Sequence, residues 1–183
     1  MSQINYNQVQ KSAKPVFIKP YLLLHPPIPK PLHGVNPRSV KGKTWWDEKR
    51  FAAQAKNNYH CWACGIHKSE AAFHKWLEGH ESYIVDYSTG QMVLEEIVSL
   101  CHSCHNYIHS GLLKVKLNKG EIDFNKYNYI IERGNQIVKP LPEFKFPTEI
   151  CEEWSAWHLE IEGKKHFSKF KNEQEWSNYY QRR

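Results

Sequence analysis

The chain has 183 residues and a mass of 21.7 kDa, which fits one domain of ordinary size or a small domain with extensions and excludes a large multidomain enzyme. Hydrophobic residues make up 40% of the chain and aromatic residues 14%, so a packed core is expected although the mean hydropathy is −0.70. No apolar run approaches the roughly 18 to 20 residues that cross a bilayer, and the N-terminus lacks a signal pattern. We therefore expect a soluble cytoplasmic protein without a membrane partner.

The N-terminal part of the chain is basic and rich in proline. The formal charge of the whole chain is +6, but residues 1–56 carry ten Lys or Arg against two acidic residues, a net of +8. Seven of the ten prolines fall between Pro15 and Pro37, and each removes an amide donor and disfavours helix in the residue before it. We therefore predict an extended basic arm over residues 1–43. Such an arm suits a polyanion such as nucleic acid, although a merely solvated extension has the same composition.

Local signals predict the elements that follow the arm. Thr44 can cap a helix that ends at Asn57-Asn58. A further helix is expected over residues 69–78. Residues 82–87 and 91–100 then predict two strands joined by a Gly-containing turn.

The last third of the chain carries weaker signals. Short hydrophobic runs broken at Lys119-Gly120 and Gly134-Asn135 predict a small β-meander after residue 112. Helices are expected over residues 148–162 and near the C-terminus. The predicted fold class is α+β, with a β-meander and helical C-terminal extension over residues 113–183.

Two Cys-x-x-Cys pairs are the strongest chemical pattern in the chain. Cys61 with Cys64 and Cys101 with Cys104 can each form a tight turn that directs both sulfur atoms at one ion. Four thiolates would close a tetrahedral structural Zn²⁺ site, whereas unligated thiol pairs or a redox Cys-x-x-Cys are the alternatives. Cys151 stands apart and is expected to be an ordinary buried thiol.

Histidines follow the second cysteine pair at helical spacing. If a helix begins at this pair, His105 and His109 lie at i and i+4 and present two imidazoles on one face. Such a pair is often an accident of the surface. Here the zinc site would tie the helix to the hairpin that bears His80, so we predict that three imidazoles converge on a second metal ion.

The run Leu77–Glu81, followed by Leu100–His105 and His109, resembles the HNH (His-Me finger) endonuclease superfamily in its Cys₄-zinc subgroup. The chain is also similar to a set of uncharacterised prokaryotic or phage HNH-like proteins in which a segment like Leu32–Asp47 precedes the first cysteine pair. The resemblance implies a zinc-stapled ββα-metal core over residues 44–112. The specific motifs span residues 33–110.

The resemblance also implies an activity and its residues. His80 corresponds to the strand ligand, and His105 and His109 to the helix ligands, of a catalytic divalent ion such as Mg²⁺ or Mn²⁺. Glu81 stands where the family places its general base, which is usually histidine. The implied reaction is metal-dependent hydrolysis of DNA, with duplex DNA as the expected substrate and 5′-phosphate and 3′-hydroxyl ends as products.

Two other functions remain open at the level of sequence. A catalytically silent zinc module that binds nucleic acid or protein would result if the change to Glu81 had removed the base. A redox protein that uses its Cys-x-x-Cys pairs would require a βαβ context, which the sequence does not show.

Overall fold

The computed structural model describes residues 13–143, 145 and 147–181, and shows a mixed α+β protein. The described residues form six α-helices: α1 Pro37–Lys41, α2 Lys43–Lys56, α3 His102–Ile108, α4 Ser110–Asn118, α5 Phe124–Val138 and α6 Glu173–Gln181. They also form four strands in one sheet of order β1-β2-β3-β4: β1 Glu78–Asp86, β2 Gln91–Leu100, β3 His158–Ile161 and β4 Lys164–Phe167. Short 3-10 turns occur at Pro20–Leu23, Lys30–Leu32 and Lys68–Glu70.

The chain divides into two compact units, each built from separated stretches of sequence. The described residues of unit 1 are 13–25, 49–80 and 97–143, and those of unit 2 are 26–48, 81–96, 145 and 147–181. The sequence had suggested three consecutive segments instead. Each unit has its own hydrophobic core.

The core of unit 1 forms around Trp62, which is fully buried. Its indole Nε1 donates a hydrogen bond of 2.9 Å to the carbonyl of Ala53, so the one polar atom of the ring is satisfied. Leu22 and Leu23 of the Pro20–Leu23 turn contribute to the same core. The proline-rich segment is therefore packed into the fold where it is described, and its residues 1–12 lie outside the described part.

The side chain of Asn57 holds the first described residues of the proline-rich segment through hydrogen bonds to their backbone. Its side-chain oxygen accepts hydrogen bonds from the backbone N–H groups of Val16, at 2.8 Å, and Phe17, at 3.1 Å. Its amide group donates to the carbonyl of Phe17 at 3.1 Å. Because Asn57 is buried, these bonds are shielded from water and hold the segment as a strand partner would.

The core of unit 2 covers one face of the sheet. Strand β3 pairs in parallel with β2, with Gln91 opposite His158, and antiparallel with β4. Met92, Leu159 and Trp157 are fully buried there with Leu32 of the second 3-10 turn. The parallel pairing gives β2 a neighbour from far along the chain.

The predicted β-meander after residue 112 is wrong. This stretch forms α4 and α5, and the side chain of Asp123 caps α5 by accepting a hydrogen bond of 2.7 Å from the Lys126 N–H. The turn at Lys119-Gly120 is present, but it connects two helices. Gly134 is a helical residue that lets the Tyr107 ring approach the backbone of α5.

Other local predictions have mixed outcomes. The first predicted helix, the hairpin of β1 and β2, the helix at the second cysteine pair and the helix near the C-terminus are confirmed. The predicted cap at Thr44 is wrong, because the first of these helices begins at Lys43 and includes Thr44. The helix predicted over residues 148–162 is wrong, since β3 forms there. The helix predicted over residues 69–78 is also wrong, because only the 3-10 turn Lys68–Glu70 forms before β1 begins. Within the described residues, no helix has both the length and the apolarity to cross a membrane.

Substitution of Gly134 tests the packing of α5 on α3. A methyl group at this position would lie 2.0 Å from Cδ2 of Tyr107. Gly134→Ala should therefore lower the free energy of unfolding by about 1 to 3 kcal/mol, although alanine normally favours helix. Urea denaturation followed by circular dichroism measures the effect. Gly111→Ala, in α4 with nothing within 4 Å of the added methyl, is the matched control and should not lose stability; equal stabilities would contradict this packing.

Candidate metal centre

The four paired cysteines converge in unit 1. Cys61 and Cys64 lie in the loop after α2, Cys101 immediately precedes α3, and Cys104 lies within that helix. Their sulfur atoms all lie within 4.8 Å of one another, and Sγ of Cys64 is 3.8 Å from Sγ of Cys101. Zinc bound tetrahedrally at about 2.3 Å holds its sulfur ligands about 3.8 Å apart. The cluster can therefore bind a metal ion such as zinc.

The four thiols of the cluster differ in their pKa. It is lowered at Cys64 and Cys101, whereas burial raises the pKa of Cys61 and hydrogen bonds with the neighbouring thiols, that of Cys101 first, raise the pKa of Cys104. Hydrogen bonds from the neighbouring thiols, that of Cys101 first, hold the pKa of Cys64 far below its usual value. The Arg133 guanidinium lies beside this sulfur, with Nη2 3.8 Å from Sγ of Cys64. The thiolate is the form that binds metal, so a cation beside the cluster helps to hold the negative charge of its ligands.

Three histidines form a second group in unit 1. His80 comes from β1, while His105 and His109 come from α3 and its C-terminal end. Each of the three offers a ligand atom within 4.8 Å of the others. Their ring centroids are 5.3 Å apart for His80 and His105, 5.0 Å for His80 and His109, and 4.8 Å for His105 and His109. The structure thus brings together the three imidazoles that the sequence singled out.

The protonation states of His80 and His109 suit metal binding. Burial, followed by the charge of His25, lowers the pKa of His80 to about 2. Desolvation and the charge of His105 lower the pKa of His109 to about 4. Both rings are therefore neutral at pH 7, and neutral imidazole is the form that coordinates a metal. His80 is buried and His109 is exposed, so the group opens to solvent on the side of His109.

The side chain of Glu78 contacts three histidines, His74, His102 and His105. The sequence did not identify it as a site residue. Its Oε1 accepts hydrogen bonds from Nε2 of His74, at 2.7 Å, and Nδ1 of His102, at 2.8 Å. Its Oε2 pairs with Nδ1 of His105. Burial alone would raise the pKa of Glu78, but the hydrogen bonds from His102 and His105 outweigh it and bring the pKa well below its usual value.

The contact between Glu78 and His105 has a consequence for metal binding. A carboxylate that accepts from Nδ1–H fixes the tautomer of the ring and leaves Nε2 with a lone pair. This is the arrangement found behind histidine ligands in metalloproteins. Alternation along β1 places Glu78 and His80 on one face, so the pattern of residues two apart could have indicated Glu78.

His25 is a further neighbour that the sequence analysis missed. Its ring centroid lies 4.8 Å from that of His80, and its charge lowers the pKa of both His80 and His109. It lies in the proline-rich segment, far from the other histidines in sequence. No local pattern could have indicated it.

Glu81 occupies a different position from the three histidines. Side chains alternate along a strand, so Glu81 lies on the face of β1 opposite Glu78 and His80. Burial and the charge of Glu81 raise the pKa of Tyr83, which is two residues along the strand. The role of Glu81 as a general base therefore stays a prediction from the sequence.

Comparison of the chain with known protein families, characterised proteins and solved structures finds no match. Three groups among the described residues could hold a metal ion. They are the four convergent cysteines, the three convergent histidines backed by Glu78, and a third group of His74, Glu78 and His102.

Replacing a cysteine of the cluster tests metal binding. We expect one tightly held zinc ion per chain, and Cys104→Ser should abolish it and give unfolded or insoluble protein, because binding energy on the order of 10 kcal/mol is coupled to folding at such sites. Elemental analysis of purified protein measures the zinc content. Cys151→Ser, which changes a cysteine outside the cluster, should keep both the zinc and the fold. A folded, monodisperse wild-type sample without zinc would refute the assignment.

Proposed function

We propose that this protein is a metal-dependent endonuclease of the HNH type that hydrolyses phosphodiester bonds in DNA. The observation that carries the proposal is the convergence of His80, from β1, with His105 and His109, from the helix that begins at the cysteine cluster. Two adjacent strands followed by this helix are the order of elements in a ββα-metal core. The proposed core comprises β1, β2 and α3, with zinc at the four cysteines.

The proposed mechanism assigns a task to each group. A divalent ion held by His80, His105 and His109 would supply charge stabilisation at the scissile phosphate and at the leaving 3′ oxygen. Glu78 orients His105 through the Nδ1 contact, so the ligand nitrogen is fixed before any ion binds. The exposed side of the group, at His109, is where a phosphate can approach.

The ligand set limits which ion the site prefers. Imidazole nitrogen suits zinc, copper, iron and nickel, whereas Mg²⁺ takes oxygen ligands and keeps several waters. Three histidines with no carboxylate among the ligands should therefore favour a transition metal over Mg²⁺. Activity with Ni²⁺ or Zn²⁺ should therefore exceed activity with Mg²⁺.

The distribution of charge supports a polyanionic substrate for unit 1. Its described residues include thirteen Lys or Arg against six Asp or Glu, a formal net charge of +7 with histidine neutral. The described residues of unit 2 include nine Lys or Arg against thirteen Asp or Glu, a net of −4. The basic unit is the one that carries the cysteine cluster and the group of His80, His105 and His109, as phosphate binding beside them requires.

A catalytically silent zinc module is the second candidate. The position of Glu81, on the strand face opposite His80, is the observation that favours it. Such a module would bind nucleic acid through unit 1 without cleaving it.

Removal of single imidazoles tests the proposed centre. Nicking of supercoiled plasmid across a series of divalent ions measures the activity. His80→Ala and His109→Ala should each lose nicking by at least about 100-fold and lose the second metal ion, because a three-ligand site does not survive the loss of one ligand. His166→Ala in β4 is the matched control and should nick at the wild-type rate. Wild-type protein that binds DNA but does not nick it with any ion would select the silent module.

A conservative change tests the role of Glu81. If Glu81 takes the proton from water, Glu81→Gln keeps the shape of the side chain but cannot accept the proton. Nicking should then fall by about 100-fold or more while metal content and DNA affinity stay unchanged. Nicking by Glu81→Gln at the wild-type rate would assign the proton to another group, and His102, which contacts Glu78, would be the first to test.

A further inference from the structure

Five aromatic rings form a continuous row on unit 1, beside the candidate metal centre. We name it the ring row: Tyr129, Phe73, His102, His74 and Trp76. Successive ring centroids along it are 5.4, 5.5, 4.5 and 3.7 Å apart. The last pair is stacked face to face, with 3° between the planes of His74 and Trp76.

The three large rings of the row are exposed, although each of them contacts another ring of the row. The exposed fraction is 60% for Trp76, 46% for Phe73 and 42% for Tyr129. Such rings are usually buried, and an exposed cluster of them marks a binding site more often than a single exposed ring does. The fold therefore presents aromatic faces to solvent at a defined place.

Hydrogen bonds hold the row in position. His74 makes a hydrogen bond of 2.7 Å to Glu78 through Nε2, and its Nδ1 lies 3.1 Å from the carbonyl oxygen of Trp76. His102 is fixed by the same carboxylate. Phe73 has a positive φ of 71°, a conformation that bulky residues rarely adopt and that persists only where the surroundings impose it. His74, His102 and the backbone of Phe73 are thus held in place before any ligand binds.

Positive charge accompanies the rings. Nζ of Lys126 lies 4.7 Å from the centroid of Phe73. The described part of unit 1 has a formal charge of +7. Aromatic faces beside cationic side chains are the combination that binds single-stranded nucleic acid, in which bases stack on rings while Lys and Arg follow the phosphates.

We infer that the ring row binds unpaired nucleotides of single-stranded DNA by stacking. This inference rests on the proposed endonuclease function and deepens it, because it replaces the duplex expected from the sequence with a substrate that has unpaired bases at the site. The bases of a duplex are stacked on one another, so their faces cannot reach a row of rings. Glu78 contacts both His102 of the row and His105 of the metal group, so a base on the row brings its phosphate close to that centre.

Binding without cleavage provides the test. A fluorescein-labelled oligothymidylate of about 20 nucleotides, longer than the site of a typical single-strand module, is titrated with full-length zinc-loaded protein in the absence of added divalent ion, and anisotropy is recorded. Trp76→Ala and Phe73→Ala should each weaken binding by about fivefold or more, the lower end of the effect of removing one stacked base. Trp76→Phe, which keeps a ring, should restore much of the affinity.

The matched control removes an exposed ring elsewhere on unit 1. Phe51 in α2 is 53% exposed and stacks with Arg50 rather than with the row, so Phe51→Ala should bind like the wild type. A duplex of the same length should bind more weakly than the single strand, and its affinity should not respond to Trp76→Ala. Tyr129→Ala, at the other end of the row, provides a second variant if Phe73→Ala does not fold.

The results that overturn this inference differ from those that overturn the nuclease. The row does not bind unpaired bases if Trp76→Ala and Phe73→Ala, or Tyr129→Ala in its place, bind the single strand with wild-type affinity. The same conclusion follows if these substitutions weaken duplex and single-strand binding equally. Plasmid nicking that persists in that case leaves the endonuclease standing without the row. Loss of affinity in the row variants of a protein that cleaves neither plasmid nor single-stranded DNA with any divalent ion supports the row and refutes the nuclease.

Discussion

The carboxylate of Glu78 accepts hydrogen bonds from three imidazoles that come from different places in the chain: His74 from the loop before β1, and His102 and His105 from α3. A half-buried anion is costly unless it is satisfied, and here the cost of burial is offset by its three partners. The order of the site depends on this one group, because it fixes a candidate metal ligand on one side and two members of the ring row on the other. Removal of the Glu78 carboxylate would release both His105 and the two histidines of the ring row, His74 and His102.

The cysteine cluster positions whole elements of the fold rather than single side chains. It brings the loop after α2 to the start of α3, a helix of seven residues that would be too short to persist by itself. The spacing of His105 and His109 produces a common face only if that helix exists. The helix that the cysteine cluster anchors therefore carries two of the three convergent histidines, His105 and His109 at its C-terminal end.

The sequence predicted the features that depend on neighbours along the chain. The two Cys-x-x-Cys pairs, the i, i+4 histidines and the β1–β2 hairpin follow from local spacing, and the structure places the cysteines together and the histidines together. Features that depend on distant contacts were missed. His25 approaches His80 from the proline-rich segment, and β3 pairs with β2 across most of the C-terminal half. Gly134 suggested a turn because the residues next to it in sequence do not indicate that the ring of Tyr107 packs against it.

The interleaving of the two units has a consequence for synthesis on the ribosome. Unit 1 is complete in sequence once residue 143 has been made, whereas the core of unit 2 needs Trp157 and Leu159. Leu32 and Val35 are therefore made well before Trp157 and Leu159, and more than half of the chain is translated in between. Apolar residues exposed in a nascent chain invite aggregation and chaperone binding. The prolines on both sides of Leu32 lack a backbone N–H, so this segment has little tendency to form intermolecular β-strand pairs before unit 2 folds.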